Sequence, residues 1–274
     1  MSKAITLGIV GVSASVAMLA FGFLAGSRQD LVIAAPVGPD GASPSAERVL
    51  ARAEIEEIVR GYLLENPEII VEMQDVLEQR ERDQQRLVQE ETISSQSDAI
   101  FNAAYDGVIG NPAGSVTVVE FFDYNCGFCK RAYEDMEAMV AADPDLRFVL
   151  KEFPILGPDS QRAHVVSMAF RALAPEQYGE FHRALLMGGG RATEASAIAA
   201  AIALGADETA LREEMKNPAI TEAVGNTYEL ANRLAITGTP SYVVGKEVVF
   251  GALGQAVLTE KVEVARACAS DESC

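Results

Sequence analysis

Apolar positions in the first third of the chain recur at helical spacing. Val49, Ile55, Ile58, Val59, Tyr62 and Leu63 mark one helix, which Asn66-Pro67 stops because proline offers no amide donor and clashes with the preceding turn. A second helix begins there. Its Ile69, Ile70, Met73, Val76 and Leu77 form a stripe that fades into the charged run 78–83 and returns weakly at Leu87 and Val88. One apolar stripe on a projecting helix needs a partner, which is either its own domain or another copy of the chain.

The period changes at 116–122, VTVVEFF, a β-branched and aromatic run that reads as a buried strand. Residues 123–125 turn the chain. Good helix formers then run from Cys126 to about Ala142, with Tyr133, Met136 and Met139 at helical spacing, until Asp143-Pro144 ends the run. A second strand is predicted at 146–153, LRFVLKEF, so the three elements form a right-handed βαβ unit with a cysteine pair at the start of its helix. From 159 to about 235 the pattern is helical, punctuated at Pro175, Gly188-Gly189-Gly190, Gly205 and Asn217-Pro218. Beyond Pro240, runs at 241–244 and 247–250 flank Gly245-Lys246, a hairpin signal, and a last helix is predicted over 255–268. The hairpin is expected on the same sheet as the first two strands, with the helical stretch as an insertion.

The N-terminus changes the compartment. Residues 4–25 are uncharged and mostly apolar, too long for an ordinary signal-peptide core and long enough for one membrane span. They are read as an uncleaved anchor, with cleavage near Ala25-Gly26-Ser27 as the alternative. Residues 28–46, with Pro36, Pro39, Pro44, Gly38 and Gly41, read as a linker. The resulting division is 1–27 anchor or signal, 28–46 linker, 47–98 helical extension capable of oligomerising, and 99–274 catalytic domain with its insertion at about 159–235. A formal net charge of -18 repels phosphate backbones, so no nucleic acid partner is expected.

The chain has four cysteines, a close pair at Cys126 and Cys129 and a looser one at Cys268 and Cys274. The looser pair is spaced to form a small disulfide, but spacing alone leaves free thiols equally open. His164 and His182 are too few and too far apart to complete a zinc site with the close pair, and read as surface or packing residues of the insertion. No metal ligand set and no cofactor are expected. A CxxC pair at a helix start, in an exported chain, points to thiol-disulfide exchange. Cys126 would face unpaired N–H groups and the positive end of the helix dipole, which stabilise the attacking thiolate. Cys129, three positions on, would be the buried partner that resolves a mixed disulfide with substrate. A copper(I) site between the same two thiolates is the rival, allowed by soft-ligand chemistry.

The stretches VEFFDYNCGFCKR (119–131), KEFPILGP (151–158), GTPS (238–241) and YLLENP (62–67) resemble the DsbA family, in the branch that includes the copper-sensitivity suppressor ScsC. The resemblance covers most of 50–274 and implies an α/β fold of thioredoxin type, with an inserted helical domain and an N-terminal helical extension. It implies a cis peptide before Pro240 and substrate polypeptide binding along Thr239 and Pro240, beside Gly127 and Phe128. It also implies that the extension can build a homo-oligomer, and that isomerase activity accompanies oligomeric members. Glu120 matches a buried acid beneath the active site, where it would relay the proton of Cys129; otherwise it faces solvent or pairs with Lys151. The expected partners are unfolded or misfolded exported polypeptides and a membrane redox partner. The expected location is the periplasmic side of the bacterial inner membrane, or the periplasm after cleavage. Because Gly127-Phe128 places no imidazole between the cysteines, the pair is expected to be a weaker oxidant than a CPHC-type site. An equilibrium with glutathione that ranked it among the strongest oxidants would overturn this.

Overall fold

A computed structural model describes residues 52–269. The apolar segment 4–25, the linker 28–46 and Cys274 lie outside the described residues. Among those described, no helix is long and apolar enough to cross a membrane.

Helix α1 (Arg52–Glu65) belongs to the first of two units, which ends at Glu65, and none of its residues is buried. Ile55, Ile58, Val59, Tyr62 and Leu64 all lie open on it. Beyond Pro67, helix α2 (Ile69–Ser95) begins the second unit. Only its C-terminal end is docked: Gln89 donates from its amide to the Leu234 carbonyl at 2.7 Å, and Ile93 is buried. Of the stripe residues Ile69 is partly covered, while Ile70, Met73, Val76 and Leu77, like the neighbouring Val71, are half or more exposed. Of the two partners the stripe was expected to find, its own domain therefore leaves four of its five residues open. A short helix, α3 (Ser97–Phe101), leads into the sheet.

Five strands lie in the order β1-β3-β2-β4-β5. Strands β2 (Val116–Phe122) and β3 (Leu146–Glu152) are parallel and joined by helix α4 (Gly127–Ala142). Strands β4 (Ser241–Val244) and β5 (Glu247–Phe250) form the hairpin, with β4 antiparallel to β2. Helix α10 (Gln255–Ala269) closes the chain and contains Cys268, which is half of a disulfide. Strand β1 (Gly107–Gly110), antiparallel to β3 at the sheet edge, is an element that hydropathy did not reveal. It is four residues long with glycine at both ends, so it carries no alternation to read. Gly107 is required there by close approach: a Cβ would fall 1.9 Å from Cε1 of Tyr178.

Between β3 and β4 the chain forms α5 (Pro158–Leu173), a 3-10 turn (Pro175–Gln177), α6 (Tyr178–Leu186), α7 (Glu194–Ala203), α8 (Glu208–Glu214) and α9 (Pro218–Arg233). Because strand side chains alternate, the sheet has two inner faces. Val118, Phe122, Phe148, Leu150 and Tyr242 join α4, α10 and the insertion in one core. Val119, Phe121, Val149 and Val243 meet Ile93, Ile100, Leu230 and Leu234 in the other.

Lys151 also points to the second face. It is wholly buried, its ammonium 2.5 Å from the Asp106 carboxylate and donating to the Ala99 carbonyl, with the Tyr105 ring 5.5 Å away. Burial lowers the Lys151 pKa and pushes Asp106 up to about 7, two signs of the same desolvation cost. Removing one partner leaves the other charge buried and alone. Lys151→Met is therefore expected to lower stability by about 3 kcal/mol or more, seen as a lower urea midpoint, while Lys151→Met combined with Asp106→Leu should recover much of the loss. A single variant as stable as the parent would show that the pair is not held in this way.

Candidate functional site

The β2 strand delivers the chain to a three-residue loop, and Cys126 then adopts an extended conformation (φ -80°, ψ 116°) as the N-cap of α4. This conformation turns its side chain back over the first helical turn, where N–H groups have no intrahelical acceptor. The Cys129 N–H donates to Cys126 Sγ at 3.3 Å. In the thiol form Cys126 Sγ donates to the Thr239 carbonyl at 3.1 Å, across the cis Thr239–Pro240 bond from β4. Hydrogen bonds from the Cys129 side chain, and then from the Thr239 side chain and the Cys129 and Phe128 amides, pull the Cys126 pKa down to about 6 against the opposing effect of burial. Cys129 is driven the other way, first by burial and then by its bond to Cys126 and the charge of Glu120. The two sulfurs are thus chemically unlike, one a thiolate near neutral pH and the other held as a thiol.

Glu120 is buried on the same face of the sheet, opposite Leu150 on one side and Tyr242 on the other. It neither faces solvent nor pairs with Lys151, because the parallel register that sets Glu120 against Leu150 sends Lys151 to the opposite face. Burial, followed by the Cys126 charge, pushes its pKa up to about 8, and its charge in turn acts on Cys129 and Tyr242. A carboxyl that titrates near neutrality beside a buried thiol is suited to accept a proton when that thiol becomes a nucleophile. Around the sulfurs the surface is open. Phe128 is 58% exposed under the Arg131 guanidinium, 4.3 Å from the ring centroid, and the space a Cβ on Gly127 would occupy is free. Among the described residues no group of three or more His, Cys, Asp and Glu is arranged to hold a metal ion.

Sequence reading missed what lies behind the loop. His164 and His182 are not surface residues but fully buried, packed against Phe122 and Tyr124 at ring separations of 4.8 to 5.4 Å. Asp123, read only as part of a turn, is also buried. Its carboxylate accepts from the Asn125 N–H at 2.7 Å, the Ser160 hydroxyl at 2.8 Å and the Leu156 N–H at 2.9 Å, while its carbonyl accepts the Cys126 N–H at 2.9 Å. Asn125 bridges to the backbone of Ala192 in both directions, at 2.8 and 3.0 Å. A signal was available: Ser160, His164 and Ser167 recur at i, i+4 and i+7, a polar stripe on a helix whose other face is apolar.

This arrangement supports attack by Cys126 on a disulfide and resolution by Cys129. The pH dependence follows from the sign of the shift. Lowered from an ordinary 9.0 to about 6, the folded Cys126 gains thiolate as pH rises through about 6. Exchange rates should therefore climb to about pH 6 and then flatten, whereas an unshifted thiol would keep accelerating toward pH 9. By linkage, the reduced protein gains stability relative to Cys126→Ser as pH rises from about 6 toward 9, and loses that advantage as pH falls through about 6. Ultraviolet thiolate absorbance and urea unfolding across that range check both; a midpoint near 9 would contradict the site geometry.

Comparison with known proteins places this geometry. Residues 117–263 match the DSBA-like thioredoxin domain, and residues 52–84 match the copper resistance protein ScsC N-terminal domain. No curated protein matched. Among solved structures, a thioredoxin-like oxidoreductase from Silicibacter pomeroyi is 40% identical, with a TM-score of 0.59 over 62% of this chain and 97% of its own. The thiol-disulfide exchange protein alpha-DsbA2 from Wolbachia pipientis is 30% identical, with a TM-score of 0.60 over 65% and 96%. Proteus mirabilis ScsC, in a transitional conformation, is 26% identical, with a TM-score of 0.59 over 80% and 98%. With a capped, acidified Cys126, a buried Cys129 and an ScsC-type helical segment ahead of them, the chain belongs to the DSBA-like thioredoxin family of thiol-disulfide oxidoreductases.

Proposed function

We propose that this oxidoreductase is an exported disulfide isomerase, acting on misfolded polypeptides as a homo-oligomer built through α1 and α2. It would stand on the periplasmic side of the inner membrane, held by residues 4–25 or released after cleavage, and a membrane redox partner would keep it reduced. The observation that carries the reading is the exposed apolar stripe of α2, from Ile70 to Leu77, on a helix docked only at its far end. Such a face is costly in water and is suited to a matching face on another copy. Several active sites in one assembly raise the local concentration of attacking thiolate around a captured substrate, which favours reshuffling over a single oxidation.

In the reaction, the Cys126 thiolate attacks one sulfur of a substrate disulfide. A mixed disulfide forms and the other substrate sulfur leaves as thiolate. That thiolate either attacks a different disulfide of the substrate, and a substrate thiolate finally displaces Cys126, or Cys129 displaces the substrate and leaves the enzyme pair oxidised. Phe128, Gly127, Thr239 and Pro240 border the open surface where an extended polypeptide would lie, with the Thr239–Pro240 backbone as its pairing edge. Copper(I) held between the two sulfurs is the second reading. The hydrogen bond between their side chains favours it, and the burial that keeps Cys129 protonated disfavours it.

The test uses the full chain beside a variant carrying Ile70→Lys and Leu77→Lys. The parent is expected to assemble and to rescue a scrambled multi-disulfide substrate, and the variant to be monomeric and to lose rescue by at least about tenfold while still oxidising a reduced substrate. Equal, weak rescue by both would make the protein an oxidase. No exchange by either, with tight copper(I) binding by the reduced parent, would favour the metal-binding reading.

A further inference from the structure

The exchange chemistry described above makes no use of His164. His164 sits on α5 with no exposed surface, and two neighbours fix its ring. Its Nε2 accepts the Tyr124 N–H at 3.3 Å, two residues before Cys126, and its Nδ1 meets the Glu152 carboxylate on β3. With Nε2 an acceptor, the proton lies on Nδ1 and is donated to Glu152. Glu152 also accepts from the Ser167 hydroxyl at 2.6 Å and the Tyr178 hydroxyl at 3.1 Å. From the loop, the Asp123 carboxylate lies 4.0 Å from His164 Nε2. From α6, His182 reaches the Tyr124 hydroxyl at 3.3 Å, and burial, with His164 second, lowers its pKa to about 3.

We infer that His164 is a positioning residue for the redox pair: with its ring held by its hydrogen bond to Glu152, it holds the Tyr124 amide and so keeps residues 123–126 in the turn that aims the Cys126 sulfur at the start of α4. The inference rests on Cys126 being the attacking thiolate. An apolar side chain of similar size would fill the volume but leave the buried Tyr124 amide and the Glu152 carboxylate each short of a partner, at a cost in stability that is separate from any effect on the sulfur. What an apolar ring could not do is bond the Tyr124 amide. Released from that bond, the loop would carry the Cys126 N-cap out of line with the Cys129 amide that donates to its sulfur. That change makes the thiolate less favourable.

The test compares the reduced full-length parent with His164→Phe, His164→Gln and Tyr178→Phe. Phe keeps a ring against Phe122 and Tyr124 but makes neither hydrogen bond. Gln can accept the Tyr124 N–H with its oxygen and donate to Glu152 with its nitrogen. Tyr178→Phe removes a different bond to Glu152 without touching the Tyr124 amide. Thiolate absorbance against pH, and the equilibrium with glutathione, are the readouts; urea unfolding is recorded beside them. His164→Phe is expected to raise the Cys126 midpoint by about half a unit or more, a roughly threefold fall in thiolate-to-thiol ratio, with a matching shift in the glutathione equilibrium. His164→Gln should restore most of it, and Tyr178→Phe should lower stability without moving it. If His164→Phe does not fold, His164→Ala is read in its place. A variant that unfolds more easily but titrates like the parent would reduce His164 to a packing residue. A parent with no thiolate near neutral pH would instead overturn the reading of Cys126 itself.

Discussion

A sulfur can wait as an anion inside a protein only if something holds a ring of donors still around it. Here the donors are the free amides of the first turn of α4, and they are useful only because Cys126 is turned back upon them. That turn is enforced by side chains of its own, those of Asp123 and Asn125. It is fixed from below, where the carboxylate and carbonyl of Asp123 together hold Asn125, Ser160, Leu156 and Cys126. The residue whose acidity matters is thus set by a residue whose chemistry is never used.

The sheet separates two kinds of buried charge. On the face shared with α4 and the insertion stand Glu120 and Glu152, one near the sulfurs with its proton in play, the other satisfied by three side-chain donors. On the opposite face stand Lys151 and Asp106, a pair that ties the β3 strand to the segment before β1. Adjacent residues Lys151 and Glu152 therefore serve different cores, a direct result of the two-residue period of a strand.

How much of this could be read in advance depends on what each residue needed from its neighbours. The four strands at 116–122, 146–152, 241–244 and 247–250 were legible because their own side chains carry the β pattern, and the hairpin bounds fell where Gly245-Lys246 placed them. Strand β1 was not, because its place is set by pairing with β3 and by the absence of side chains at its ends. The cysteines announced themselves by spacing. Asp123, Glu152 and His164 come from three segments, and their shared burial exists only once α5 lies behind the loop, so no local pattern could join them. The alternatives left open for Glu120 were decided by strand register, a long-range property.

The glycines carry a further lesson about where this chain can drift. Gly127 lies inside the most recognisable motif, yet the space beside it is empty, so the backbone itself sets no limit on which residue stands there. Gly107 lies in the least recognisable strand, and there a single methyl would collide with the ring whose hydroxyl supports Glu152. Variation among descendants of this sequence is thus free to retune the dipeptide between the cysteines while a plain glycine at the sheet edge stays locked, an inversion of what motif prominence alone would suggest.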